Sequence, residues 1–325
     1  MKAAVNERYG SPDVLDIREL PVPKPQAGEI LVKVHATTVG RTDSCALRAH
    51  PFFVRPYTGL LRPRRKVLGL DFAGTVEAVG EGVTKFRLGD RVFGLTPGGY
   101  GAHAEYVCVP AEDAVSGMPP GKSFHEVVVC EGAWYADTFL KKFNLKPGHK
   151  ILIYGASGAI GTAAVQLSKF YGAEVTAVVS TRHLDLATRL GADHVVDYTA
   201  EDFAKIGQSF DFVLDAVGKT SYFRCLPLLE PNGVFAATDL GRWWQNIYLA
   251  IWASLTGTGR VVFPTPRNAR SLVEFLKVRI DKGEFRAVVD RSYSLRNIAD
   301  AYRYVETGQK AGVVVVDIVP EDALR

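Results

Sequence analysis

Several protein classes are excluded by what this 325-residue sequence lacks. It has only four cysteines (Cys45, Cys108, Cys130 and Cys225), scattered and without a CxxC pair. That spacing gives no disulfide framework or zinc knuckle, and it suits a reducing cytosol. The most apolar late stretch, Ile247 to Leu255, falls far short of the ~20 residues a membrane-spanning helix needs. Met1-Lys2-Ala3-Ala4-Val5 lacks the apolar core of a signal peptide. Neither charge sign dominates: 39 basic residues face 35 acidic ones, for a net +4. That balance gives no reason to expect a nucleic-acid partner. No internal repeat is evident. Apolar residues make up 47%, ordinary for a globular chain, and the length suggests two domains.

What is present is organised around Ile151 to Arg182. Ile151-Leu152-Ile153-Tyr154 suits a strand buried on both faces. Gly155 to Gly161 is a tight turn that opens a helix running to Tyr171, and Val175 to Val179 is a second buried strand. This is one βαβ unit of about the usual ~30 residues. In the G-x-G-x-x-G frame the three positions are Ala156, Gly158 and Gly161. Gly158 would let the backbone approach a pyrophosphate, and Gly161 would let helix and strand pack closely. Ser157, Gly158, Ala159 and Ile160 are therefore the expected phosphate contacts, at a helix end that offers free N–H groups. The alternative is a glycine-rich turn with no ligand.

The end of the second strand selects the dinucleotide. Sites for NAD usually place an acid there, to bond the ribose 2′-hydroxyl. This chain has Ser180-Thr181-Arg182 instead. Two hydroxyls and a guanidinium suit a 2′-phosphate, so the expected cofactor is NADPH. The alternative is a solvated arginine that starts the next helix.

Residues 1 to about 118 read as β-rich. Strands are expected at Glu29–Ala36, Asp71–Gly80, Gly89–Gly94 and Ala104–Val109. Frequent Gly and Pro suggest a partly closed barrel. Residues 51–66 form a long, apolar and basic loop with three prolines. It is either a flap over a substrate or a solvated surface loop. After the βαβ unit, strands are expected at Asp193–Tyr198, Phe210–Gly218, Val234–Asp239 and Arg260–Phe263, the last closed by Pro264. Between the last two lies a strongly apolar helix from Trp243 to Trp252. The alternation predicts a doubly wound parallel sheet. Helices at 269–281 and 297–306 and a strand at 312–317 follow, and this end is expected to return to the first domain.

These landmarks resemble one family as a set: Gly69-Leu70-Asp71-Phe72-Ala73-Gly74, Gly89-Asp90-Arg91-Val92, Ala104-Glu105-Tyr106, the Gly155–Gly161 turn, and Leu190 through Tyr198. The sequence resembles the medium-chain dehydrogenase/reductases, and within them the zinc-free quinone oxidoreductase branch. The resemblance implies an α/β protein of two domains. A partly open, GroES-like β-barrel (residues 1–122 and 266–325) is completed by the C-terminus, and a Rossmann domain (123–265) is inserted in it. It implies an active site in the cleft between the domains and a homodimer formed by pairing Rossmann edge strands, here Arg260–Phe263. Along the cofactor it implies Tyr198, Ala216 and Thr238. Zinc alcohol dehydrogenases, by contrast, carry Cys before an Arg-Thr-Asp run and Gly-His-Glu where this chain has Gly69-Leu70-Asp71. Here Gly40 precedes Arg41-Thr42-Asp43. Neither Gly40 nor Leu70 can coordinate zinc, and Cys130 alone cannot hold a catalytic ion. Gly40 also departs from the zinc-free branch, where asparagine or a similar polar residue is common at that position.

The expected activity is hydride transfer from NADPH to a small-molecule acceptor, either a quinone or an α,β-unsaturated carbonyl compound. No metal, membrane or nucleic-acid partner is expected. Without a metal, developing oxyanion charge must meet hydrogen-bond donors. The candidates are Thr42, Tyr57 and Tyr135. Thr42 could instead cap a turn, and Tyr57 could simply pack the 51–66 loop. Trp134, Trp243 and Trp244 could wall a flat acceptor. A zinc-type alcohol dehydrogenase and a non-catalytic NADPH-binding protein are the alternative functions.

Overall fold

A computed structural model describes residues 1–263, 265–266 and 268–318. Pro264, expected to close a strand, lies outside the described residues. The chain forms two compact units, Met1–Glu131 with Asn268–Arg325, and Gly132–Arg267.

The first unit opens with an antiparallel pair, β1 (Lys2–Asn6) and β2 (Leu15–Glu19). The long β3 (Glu29–Val39) leads into α1 (Arg41–Arg48), and a single turn, α2 (Arg55–Thr58), follows. β4 (Asp71–Val79), β5 (Arg91–Leu95), β6 (Tyr106–Pro110) and β7 (Val115–Gly117) come next, then α3 (Cys130–Phe143). α1 lies where the sequence suggested only a turn. The Asp43 carboxyl accepts the Gly40 N–H at 2.8 Å, three positions back at the helix start. That is half of a capping box, with glycine at the N-cap.

Residues 123–131 belong to the first unit, not the second as expected from sequence. His125 Nε2 lies 2.6 Å from Asp317 Oδ1, and the Phe124 ring stacks on His35 at 4.3 Å. The Glu131 N–H donates to Asp71 Oδ1 at 2.8 Å.

The second unit contains β8 (Lys150–Tyr154), α4 (Ala159–Phe170), β9 (Glu174–Val179), α5 (Leu184–Arg189), β10 (His194–Asp197), β11 (Phe210–Asp215), α6 (Tyr222–Cys225), β12 (Leu229–Ala237), α7 (Gln245–Leu255) and β13 (Val261–Val262). Its six strands are parallel, in the order β10-β9-β8-β11-β12-β13. That is the doubly wound arrangement, with its switch point between β8 and β11. Ile151, Leu152 and Ile153 are fully buried. Each such side chain contributes about 1.5–3 kcal/mol, which fixes β8 at the sheet centre. α7 differs from a core helix. Tyr248, Trp252 and Leu255 are exposed, as is Trp243 just before it.

The chain then returns through α8 (Ala269–Asp281), β14 (Val289–Ser294), α9 (Ile298–Glu306) and β15 (Val313–Asp317). β15 pairs antiparallel with β3, Val314 facing Val39. This completes a seven-stranded sheet, β14-β15-β3-β4-β5-β7, with β6 also on β3. Phe72, Leu47 and Tyr302 fill the core beneath it.

Candidate functional site

In the second unit the expected cofactor residues gather at the carboxyl ends of the parallel strands. Gly155 follows β8 with φ of +77°, a conformation that favours glycine, so it makes the tight turn that the sequence frame placed at Ala156. Ala156 is fully buried. Gly161 is a packing glycine: a Cβ there would overlap Gly155 O and come within 2.6 Å of Ala156 Cα. Gly158 differs. An added Cβ would meet nothing of the protein closer than 3.6 Å. Packing therefore does not require glycine at 158, and the open space is what a pyrophosphate needs. Gly158 is also the N-cap of α4, and no side chain caps that helix. Ser157, Gly158, Ala159 and Ile160 are all partly accessible. Uncapped N–H groups and the helix dipole together make an anion-binding end.

The other strand ends surround this turn in sequence order. Ser180, Thr181 and Arg182 follow β9, and Thr181 and Arg182 are exposed. Tyr198 follows β10, half exposed, its ring 5.9 Å from that of Tyr154. The Ala216 N–H donates to Tyr154 O at 3.0 Å, and the Thr238 N–H donates to Asp215 O at 2.9 Å. One feature was missed in the sequence. The Thr181 hydroxyl donates to Asp197 Oδ2 at 2.6 Å and lies 2.7 Å from Thr199 Oγ1. An acid therefore reaches Thr181 from the neighbouring strand, where the sequence showed none at the end of β9. No local signal in the sequence marked it: the register of β10 on β9, which pairs Asp197 with Val179, brings it there.

The first unit holds a concentration of buried ionisable groups. Asp43 bridges two loops, accepting the Gly40 N–H at 2.8 Å and the Gly69 N–H at 3.2 Å. Asp71, on β4, accepts the Thr38 hydroxyl at 3.0 Å and the Glu131 N–H at 2.8 Å. The Glu131 carboxyl accepts hydrogen bonds from the hydroxyl and the N–H of Thr42. It also occupies the space beside Gly40, where an added Cβ would overlap Oε2 and lie 2.9 Å from Cδ. Lys310 is the nearby cation, its Nζ donating to Gly312 O at 2.5 Å. Behind this cluster His103 is buried and neutral. Its Nε2 donates to Thr38 O at 2.9 Å, and its Nδ1 accepts the Tyr302 hydroxyl at 3.3 Å.

Burial governs the protonation of these acids. It pushes Glu131 up to about 7, Asp43 adding to the rise, while the Thr42 hydroxyl and Lys310 oppose it. Burial likewise lifts Asp43 to about 7 against backbone donors, those of Gly40 and Gly69 foremost. Asp71 is raised well above the carboxylate range by burial and then by Glu131. Three carboxyls in one enclosed patch cannot all ionise at neutral pH. Lys310 is shifted down by burial, with Glu131 and Asp290 opposing.

The three catalytic candidates fall on different elements. Thr42 is on α1 within the acid cluster. Tyr57 is on α2 and strongly exposed. Tyr135 is on α3, in the second unit, its ring 6.3 Å from that of Trp134. Residues 51–66 are tied down by Tyr9, whose hydroxyl lies 2.9 Å from Thr58 Oγ1 and 2.6 Å from Gly59 O. Glu131 and Lys310 were not anticipated. The available signal for Glu131 was a lone acid ending the apolar run Val127-Val128-Val129-Cys130. Cys130 itself is fully buried, and burial keeps its thiol protonated.

Comparison with known proteins agrees with this architecture. The alcohol dehydrogenase GroES-like domain matches residues 26–120, and the zinc-binding dehydrogenase family matches residues 190–316. The mitochondrial NAD(P)H oxidoreductase RTN4IP1 of Danio rerio is 30% identical over 361 residues, covering 99% of this chain and 92% of the relative. The 2-methylene-furan-3-one reductase of Solanum lycopersicum is 29% identical over 339 residues, covering 98% of this chain and 80% of the relative. Among solved structures, the quinone oxidoreductase from Coxiella burnetii superposes with a TM-score of 0.85 at 25% identity, covering 98% of this chain and 99% of that one. With both of its domains matched in order, and with relatives aligned along nearly its whole length, this chain belongs to the medium-chain dehydrogenase/reductase superfamily, in the quinone oxidoreductase-like branch, as an enzyme of that oxidoreductase type.

Proposed function

We propose that the protein is a zinc-independent, NADPH-dependent reductase of electron-poor acceptors, quinones or α,β-unsaturated carbonyl compounds. The observation that carries this reading is the open space at Gly158, in front of the uncapped end of α4. When bound, NADPH supplies the hydride. The amides of Ser157 through Ile160 hold its pyrophosphate, and Ala216 and Thr238 line its path along the strand ends. Ser180 and Arg182 favour a 2′-phosphate by hydrogen bonding and charge. The Thr181 hydroxyl is already donated to Asp197, so it serves as a brace more than a ligand. The names of the Danio rerio and tomato relatives support nicotinamide-dependent reduction of an enone-type acceptor.

Zinc independence is supported by the donor atoms. Gly40 and Leu70 offer none, and among the described residues no group of three His, Cys, Asp or Glu side chains is arranged to hold a metal ion. A catalytic zinc site takes about three protein ligands from thiolate, imidazole and carboxylate groups.

Turnover of an ortho-quinone and of an enone by chelator-stripped protein tests the reading. Activity with either acceptor, unchanged by added zinc, is expected. Activity that appears only with zinc would overturn metal independence, and tighter binding of NADH than NADPH would overturn the cofactor. Pairing of two copies through the β13 edge, Arg260–Phe263, is part of the proposal. A monomer in light scattering would remove it.

A further inference from the structure

Position 40 offers no functional group in this chain, yet the space beside it is filled. The atoms there are the carboxyl oxygens of Glu131, delivered from the first turn of α3. The Glu131 N–H is fixed to Asp71 on β4, which sets where the side chain starts. Thr42, two residues past Gly40, holds the carboxyl with its hydroxyl and its N–H. Glu131 remains partly accessible, and so does Thr42, whereas Asp43 and Asp71 are buried. Of the three acids, Glu131 alone places its carboxyl in the space that a side chain at position 40 would fill.

Resting on the functional reading above, we propose that Glu131 is the proton-donating acid of the reduction, its carboxyl group standing in for the side chain absent at Gly40, with Thr42 as a positioning residue. As hydride from NADPH forms the new C–H bond at the β-carbon of an enone, the C=C electron pair shifts toward the carbonyl oxygen. The Glu131 O–H bond breaks, and its proton passes to the resulting enolate. The carboxylate left behind faces Lys310 and regains a proton from water. The balance is acceptor plus NADPH plus one proton, giving reduced acceptor and NADP⁺. For a quinone the same proton completes the hydroquinone.

The charged and titratable groups facing Glu131 are Asp43 from α1, Asp71 from β4, Tyr302 from α9 and Lys310 ahead of β15. The two aspartates oppose a second negative charge, and Lys310 offsets the one that forms during turnover. A carboxyl lifted to about 7 is suited to hold its proton until the acceptor demands it.

The test follows wild type, Glu131→Gln and Glu131→Asp between about pH 5 and pH 9, with NADPH and either phenanthrenequinone or cyclohexenone. NADPH affinity is read separately by fluorescence quenching. Glu131→Gln is expected to lose roughly 100-fold in kcat, with NADPH affinity within about twofold of wild type and with the alkaline fall near neutrality abolished. Glu131→Asp is expected to keep an alkaline fall. A Glu131→Gln enzyme that keeps wild-type kcat overturns the proposal, as does a residual activity with the wild-type pH limb. If wild type binds NADPH but reduces neither acceptor, the functional reading fails on its own. Infrared difference spectra then decide Glu131. A protonated carboxyl band that titrates near neutrality in wild type and is lost in Glu131→Gln sustains the acid assignment, and its absence overturns it.

Discussion

In the second unit, the turn between β8 and α4 contains no ionisable side chain. In the first, Asp43, Asp71, Glu131 and Lys310 meet in one enclosed patch around Gly40. On the proposed function, the two regions treat charge in opposite ways because their ligands differ. A pyrophosphate carries constant charge, and it is best met by fixed amide dipoles and by glycines that keep side chains away. An acceptor that gains a proton needs a partner whose own charge changes, which requires burial to move a carboxyl toward neutrality. Above about pH 6, where a 2′-phosphate monoester has lost its second proton, binding in the second unit should therefore be indifferent to pH, and the proposed chemistry in the first should not be.

The sharpest way to break this contrast is Glu131→Gln, for which the expected loss is in kcat, with little change in NADPH affinity. Equal losses in both parameters would erase the division of labour. Next in size is Gly161→Ala. Its Cβ would meet backbone on both sides, and backbone cannot yield. A fall in stability of about 1–3 kcal/mol is expected in denaturant unfolding, together with loss of NADPH binding.

Arg182→Ala should weaken NADPH by roughly tenfold or more, since hydrogen bonds to charged groups contribute about 1.5–3 kcal/mol. NADH affinity should not change, and parallel titrations that move both cofactors alike would sink the 2′-phosphate assignment. Gly158→Ala sharpens the comparison with Gly161. The new methyl meets no protein atom within 3.6 Å, so stability should stay within about 0.5 kcal/mol while NADPH affinity falls. A variant that binds NADPH normally would mean that no ligand uses that space.

The smallest effect expected is in thermal stability against pH. Folded Glu131 and Asp43 hold protons up to about 7, above their ordinary values of 4.5 and 3.8. Between those limits the folded chain binds more protons than the unfolded chain, so these groups make stability fall as pH rises through the window. His35 and His103, lowered by burial to about 4 from 6.5, act the other way and make stability fall as pH drops below their ordinary value. Scanning calorimetry should show a gentler alkaline decline for Glu131→Gln than for wild type. Identical slopes would contradict the raised carboxyl.

The sequence was most readable where structure is local. β8, the turn and β9 follow one another within a single βαβ unit, and each announces itself by apolar runs and glycine. The strands of the first unit were found by the same patterning, although β1, β2, β7 and β14 went unmarked, being short or weakly alternating. β12 begins at Leu229, earlier than the expected Val234, because Leu229 pairs with Phe210 and the ladder resumes at Val234 after an irregularity at Glu230, Pro231 and Asn232, polar and turn-forming residues that hid the strand.

By itself, then, the sequence determined the βαβ unit, the packing glycine Gly161 and the glycine turn that precedes it, and the missing donors at Gly40 and Leu70, because these depend on neighbours in the chain or on side-chain chemistry alone. Only tertiary structure decided that Asp197 meets Thr181, that β15 closes the sheet on β3, and that Glu131 fills the space beside Gly40. Those contacts depend on strand register and on how distant segments pack, and no local period in the chain encodes either. The shifted acids have the same origin. A carboxyl in the sequence has its ordinary affinity for protons until the fold removes water and sets other charges beside it.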